Sequence, residues 1–156
     1  MSKAKTLTPE ELQQVLAYIA AHAYPLRNRL MLLTGIWSGM RVGEIASLRV
    51  GDVRNEDGSI RAEVRLSAEQ TKGRHPRTVF LPQKLRDELA AYISLRKPTK
   101  WDHPLFVTAG GRAFSANVLT QNFFYLFKRA GIAGATRAGH RRYYQIHPNQ
   151  GMGRNS

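Results

Sequence analysis

Apolar positions recur every three to four residues through the first part of the chain, and then every second residue. Leu12, Val15, Leu16 and Ile19 fall on one face of a helix running to about His22. Thr8-Pro9-Glu10-Glu11 supplies its start: Thr8 can cap, Pro9 suits the first helical position, and Glu11 can complete a capping box. A second run opens at Pro25, with Leu26, Leu30, Leu33 and Trp37 in one stripe that Met31 and Leu32 widen. Ser38-Gly39 interrupts it. The pattern predicts a third helix from near Met40 to Arg49, ending before Gly51-Asp52.

Beyond the Asn55-Glu56-Asp57-Gly58 turn, Ile60, Ala62, Val64 and Leu66 alternate with Arg61, Glu63 and Arg65, which predicts a half-buried strand. After a second turn, Thr71-Lys72-Gly73-Arg74-His75-Pro76, the segment Arg77 to Leu81 returns as its partner. Strands this short need helices against their apolar face. Pro82 begins a helix through Leu85, Leu89, Tyr92 and Ile93 to about Arg96. Ser115 caps another, carrying Val118, Leu119, Phe123, Phe124, Leu126 and Phe127 and closed by Lys128-Arg129, whose charge suits a helix C-terminus. The fold class is α+β, mainly helical, with the helices packed on a small antiparallel sheet of two to three strands. From Thr136 the periodicity fails, and only Tyr143, Tyr144 and Ile146 offer anchors.

Charge narrows the partner. The 156 residues carry 24 Lys and Arg against 11 Asp and Glu, a formal net charge of +13, which favours a polyanion and nucleic acid first. All 11 acidic residues precede residue 103, whereas the remaining 54 residues hold seven basic side chains and no acidic one. The C-terminal third is therefore either the contact zone or the less completely folded part. Cysteine is absent, which excludes disulfides and thiolate metal sites. No apolar run approaches the roughly 20 residues that span a bilayer, and Met1 to Thr8 lacks the apolar core of a secretory signal. The expectation is an intracellular, cytoplasmic protein without membrane attachment.

Three clusters carry candidate chemistry. Arg41 and Glu44, three positions apart, share a helical face, where the carboxylate can hold the guanidinium fork ready for a planar anion such as phosphate. An ordinary structural ion pair fits the same spacing. Lys72, beside Gly73 and before Arg74, His75 and Arg77, can reach across a groove and protonate a leaving oxygen; a solvated turn has the same composition. Arg137, His140, Arg141 and Arg142 are the donor types that a phosphoryl-transfer site needs, and equally those of a generic basic extension. The five histidines show no metal-ligand spacing, so neither metal nor cofactor is expected.

Residues 34 to 48, Thr-Gly-Ile-Trp-Ser-Gly-Met-Arg-Val-Gly-Glu-Ile-Ala-Ser-Leu, resemble the first arginine box of the tyrosine recombinase, or phage integrase, catalytic domain. The likeness continues through Arg49-Val50-Gly51-Asp52-Val53 and through Thr71 to Leu81, similar to the strand pair that bears the family's lysine. Pro104-Leu105-Phe106-Val107 and Phe114 to Ile132 resemble the approach to its second arginine box, so the resemblance spans about residues 7 to 135. It implies a DNA breaking and rejoining core acting on double-stranded DNA through a phosphotyrosyl intermediate, with no cofactor. Carried over, Arg41 clamps the nonbridging oxygens, Glu44 supports the site and Lys72 is the general acid. Arg74, His75, Arg77, Lys128, Arg129, Arg137 and Arg142 would contact DNA.

The family pattern is departed from after Thr136. A histidine followed at the third position by arginine is expected there, but His140 is followed at that position by Tyr143, and Arg141 or Arg142 falls early. Each helical residue turns about 100 degrees, so such a shift re-aims the side chain. His140 and Arg141 are thus the weaker catalytic candidates, and neither Tyr143 nor Tyr144 is a convincing nucleophile. The expected organisation is a truncated catalytic domain over residues 1–135 and a divergent basic tail over 136–156, exposing apolar helix faces and lowering stability. This predicts DNA binding and site-specific recombination or integration in a mobile-element setting, with cleavage by the chain alone not expected. A noncatalytic DNA-binding or regulatory protein and a nonfunctional integrase remnant are the alternatives. A monomer is expected in isolation, with pairing to other recombinase subunits on DNA left open.

Overall fold

The computed structural model describes residues 7–97 and 100–134. Helix α1, Pro9–Ala20, begins as its sequence dictates. The Thr8 hydroxyl accepts from the Glu11 N–H at 3.1 Å, and the Glu11 carboxylate accepts from the Thr8 N–H at 3.0 Å, which satisfies two otherwise orphaned donors. It stops at Ala20, short of His22, because the N–H groups of Ala21 and His22 turn to the carbonyls of Tyr18 and Ile19 in tighter three-residue steps.

Helix α2, Pro25–Ser38, is buried almost continuously from Leu30 to Ile36, while Leu26 is half exposed. The expected stripe is therefore wider than one face and does not include its first leucine. Gly39 closes the helix at φ 77°, a left-handed backbone that costs glycine little. Arg41 is extended, at φ −75° and ψ 156°, so α3 is shorter than the pattern indicated, Val42–Ser47. Leu48 is again extended, and a further one-turn helix, α4, Val50–Val53, follows where the sequence pattern indicates only a helix end. The Arg49 N–H donates to Asp52 at 2.8 Å, which caps α4.

Strands β1, Glu63–Leu66, and β2, Arg77–Phe80, form a two-stranded antiparallel sheet in which Val64 faces Val79 and Leu66 faces Arg77. The predicted alternation begins earlier than the ladder. Ile60 pairs singly with Arg54, and the Arg61 N–H is drawn to Val53 O at 2.7 Å, so residues 60–62 run along α4 before joining β2. A 3-10 turn, Ala68–Gln70, precedes the Lys72 turn. Helix α5, Gln83–Arg96, packs on α2, and helix α6, Ala116–Arg129, packs on α1 and α3.

One core joins these elements. Phe106, Phe123 and Phe127 are its largest buried side chains, and Val64, Leu66 and Val79 bring the sheet's inner face against it. Burying such side chains stabilises the fold by about 1.5–3 kcal/mol each before entropy is counted. Leu105 is docked by its N–H to Leu48 O at 2.8 Å, and the Arg96 guanidinium donates to the carbonyls of Pro104 and Leu105. These bonds hold the segment between α5 and α6 beneath α3. Among the described residues, no helix is long and apolar enough to cross a membrane.

Candidate phosphate-binding cleft

A cleft of about 360 Å³ opens between α3, the N-terminal turn of α6 and the loop before β2, lined by Arg41, Gly43, Glu44, Gln70, Lys72 and Thr120 among others. Arg41 and Lys72, 31 residues apart in the chain, therefore share one basin. The α3 backbone explains half of this placement: the abrupt change from Gly39 to the extended Arg41 lets the arginine leave the chain at the cleft's edge. The two-stranded ladder explains the other half, since β1, packed on α4, leads into the 3-10 turn that meets α3 just before Lys72.

Glu44 is 1% exposed, and its partner differs from the one its spacing indicated. Its Oε1 accepts from the Arg41 backbone N–H at 2.9 Å, not from the Arg41 guanidinium. The fork that it holds is that of Arg77: Nη2 donates to Oε1 at 2.7 Å and Nε to Oε2 at 2.9 Å. A bidentate pair uses the planar complementarity of guanidinium and carboxylate, and this hydrogen bonding raises the Arg77 pKa above its ordinary value against the opposing effect of burial. Arg77 Nη2 also lies 3.5 Å from Gly39 O. Among the described residues, the Arg41 guanidinium has no hydrogen-bond or ion-pair partner, and its side chain is half-buried at the cleft.

Gln70 was not foreseen as a site residue. Its Oε1 accepts from the Ser67 N–H at 2.9 Å, while Nε2 donates to Asp52 Oδ2 at 3.1 Å and Ser47 Oγ at 3.3 Å. It thus ties the approach to the Lys72 turn onto the end of α3 and the start of α4. The sequence signal was present: Ser67 followed three residues later by Gln70 is a capping-box spacing. Within the turn, the buried Thr71 hydroxyl donates to His75 O at 2.8 Å and the Arg74 N–H to Thr71 O at 3.2 Å. Lys72, Arg74 and His75 are left exposed.

Lys128 and Arg129 sit elsewhere. They are exposed in the last turn of α6, stacked over Phe124 at 5.8 Å and Tyr125 at 5.3 Å. At 1.5 Å per residue they lie roughly 18–20 Å along the helix from its cleft end. Arg137, His140, Arg141, Arg142, Tyr143 and Tyr144 fall outside the described residues.

The family model described as the phage integrase family matches residues 5–150. The chain belongs to the phage integrase family. It is 31% identical over 130 residues to the tyrosine recombinase XerA of Thermococcus kodakarensis, a match that covers 83% of this chain and 42% of that protein. The chain thus spans less than half the length of this relative. Its fold is also that of the crystal structure of XerA recombinase, with a TM-score of 0.69 at 22% identity over 92% of this chain and 49% of that one. A XerH site-specific recombinase bound to its difH substrate, in a pre-cleavage complex, matches at a TM-score of 0.63 and 24% identity, over 92% of this chain and 42% of that one.

Proposed function

We propose that this chain binds duplex DNA and contributes the phosphate-capturing part of a tyrosine recombinase active site in site-specific recombination or integration. The observation that carries the reading is the shared cleft of Arg41 and Lys72. Arg41 pairs with the nonbridging oxygens of the scissile phosphate, where preorganised positive charge stabilises the pentacoordinate transition state. Lys72 donates a proton to the departing 5′-oxygen. Arg74 and His75 extend the contact along the sugar-phosphate backbone. Binding in a pre-cleavage recombinase complex of the same fold supports DNA as the partner. We further read residues 1–135 as the catalytic domain, residues 136–156 as a basic tail, and the isolated chain as a cytoplasmic monomer.

The attacking hydroxyl is a separate matter. The described tyrosines, Tyr18, Tyr24, Tyr92 and Tyr125, are not among the residues lining the cleft, and a second reading is a chain that binds DNA without cleaving it.

Fluorescence anisotropy with a labelled duplex of about 30 base pairs tests the first reading. Affinity should fall steeply with salt, and Arg41→Ala and Lys72→Ala should each weaken binding and lower the salt slope by about 1. Unchanged affinity in both variants would overturn it. A nicked suicide duplex separates the two readings: a covalent adduct abolished by Tyr143→Phe or Tyr144→Phe supports cleavage, and retardation without adduct supports binding alone.

A further inference from the structure

Two arginines and one carboxylate meet at the head of α3, and only one of the arginines is neutralised. Glu44 directs both oxygens to Arg77, although Arg41, at the N-cap of the same helix, is the cation only three residues away in the chain. The carboxylate already touches the Arg41 backbone N–H at 2.9 Å, so the flexible Arg41 stem can bring its own guanidinium to the same oxygens if they are vacated. Arg77 approaches from β2, 33 residues on, and its side chain is 39% exposed against 1% for Glu44.

We propose that Arg77 is a positioning residue that acts as the counter-ion of Glu44, and that by occupying this carboxylate it leaves the Arg41 guanidinium available to a DNA phosphate. The inference rests on the functional reading of the cleft. It assigns Arg77 a role different from direct phosphate contact: the Nε and Nη2 donors that would face a phosphate face Glu44 instead. The cluster of Arg41, Glu44 and Arg77 carries one net positive charge, and loss of Arg77 sets it to zero with a buried carboxylate in reach of Arg41. At close range an unpaired carboxylate competes with a phosphate for the same fork.

The test is a set of salt-dependent DNA-binding curves on the full chain, taken well below the melting temperature of every variant. Arg77→Met should lower the salt slope by about one, as Arg41→Ala does. Adding Glu44→Gln to Arg77→Met removes the competing charge and should restore the slope and bring affinity back to within about threefold of the parent. Arg77→Lys, which keeps a cation opposite Glu44, should retain most of the affinity. Combining Arg41→Ala with Arg77→Met should lower the slope no further than Arg41→Ala alone. A direct phosphate contact by Arg77 gives the opposite results, additive losses and no rescue by Glu44→Gln, and overturns the inference while leaving the functional reading intact. Binding that does not depend on Arg41 at all overturns both. A merely structural role lets affinity follow the melting temperature across the set with the slope unchanged, and that result too overturns the inference.

Discussion

The Gln70 side-chain amide lies 3.1 Å from Asp52 Oδ2 and 3.3 Å from Ser47 Oγ, so one residue of the 3-10 turn fastens the Lys72 loop to two helices at once. Gln70→Ala should release that loop without unfolding the core. The expected loss is about 1–2 kcal/mol. The Ser67 amide, which donates to Gln70 Oε1, should exchange with solvent about tenfold faster, measured by hydrogen-exchange NMR, while the amides of Val64 and Leu66 keep their protection. Equal acceleration in β1 would show that the bonds support the whole sheet.

Breaking the Glu44–Arg77 pair should cost unequal amounts from its two ends. Arg77→Met strips a 1% exposed carboxylate of its bidentate partner and leaves it only the Arg41 fork, whereas Glu44→Gln leaves an arginine that is 39% exposed and can be hydrated. The first should destabilise by about 3 kcal/mol and the second by less. Urea unfolding of the two variants checks the order.

Gly51 offers a steric test. A Cβ there would stand 3.0 Å from Trp101 Cε3 and 3.2 Å from Trp101 O, and the Gly51 N–H donates to that same carbonyl at 2.8 Å. Gly51→Ala must displace backbone as well as the indole, at a cost of about 1–3 kcal/mol. The change should appear both in the melting temperature and in tryptophan emission.

Tyr92 confers an alkaline limit. Burial raises its pKa above the ordinary 10.0, with Arg96 and Arg27 opposing. The unfolded chain therefore loses this proton first, so the stability contribution is complete below pH 10 and declines as pH rises through the folded value. Tyr92→Phe should unfold at a urea midpoint that falls less steeply above pH 10 than the parent's. Parallel slopes would remove Tyr92 as the cause.

What could be read from the chain was whatever its neighbours in sequence decide. The Thr8, Pro9 and Glu11 start, the Val64 and Leu66 alternation and the Ser115 cap, whose hydroxyl accepts from the Val118 N–H at 3.1 Å, are all local. Arg41 and Lys72 stand out by residue type and by their glycine neighbours. The partner of Glu44 was not accessible in that way, because local periodicity offered Arg41 while the ladder delivered Arg77 from 33 residues away. Helix α4 was hidden for a related reason: Gly51 reads as a terminator, yet its missing side chain is what admits Trp101 against the helix.

The two helices that frame the cleft touch where both side chains are minimal. A Cβ built on Gly43 would rest 3.8 Å from the Ala116 Cβ, ordinary contact distance, so alanine at 43 would fit and a branched side chain would wedge α3 away from α6. The aperture of the cleft beside Arg41 is thus gauged by a glycine and an alanine. Residue size at position 43 becomes a dial for the width of the basin, adjustable without altering any of the charges inside it.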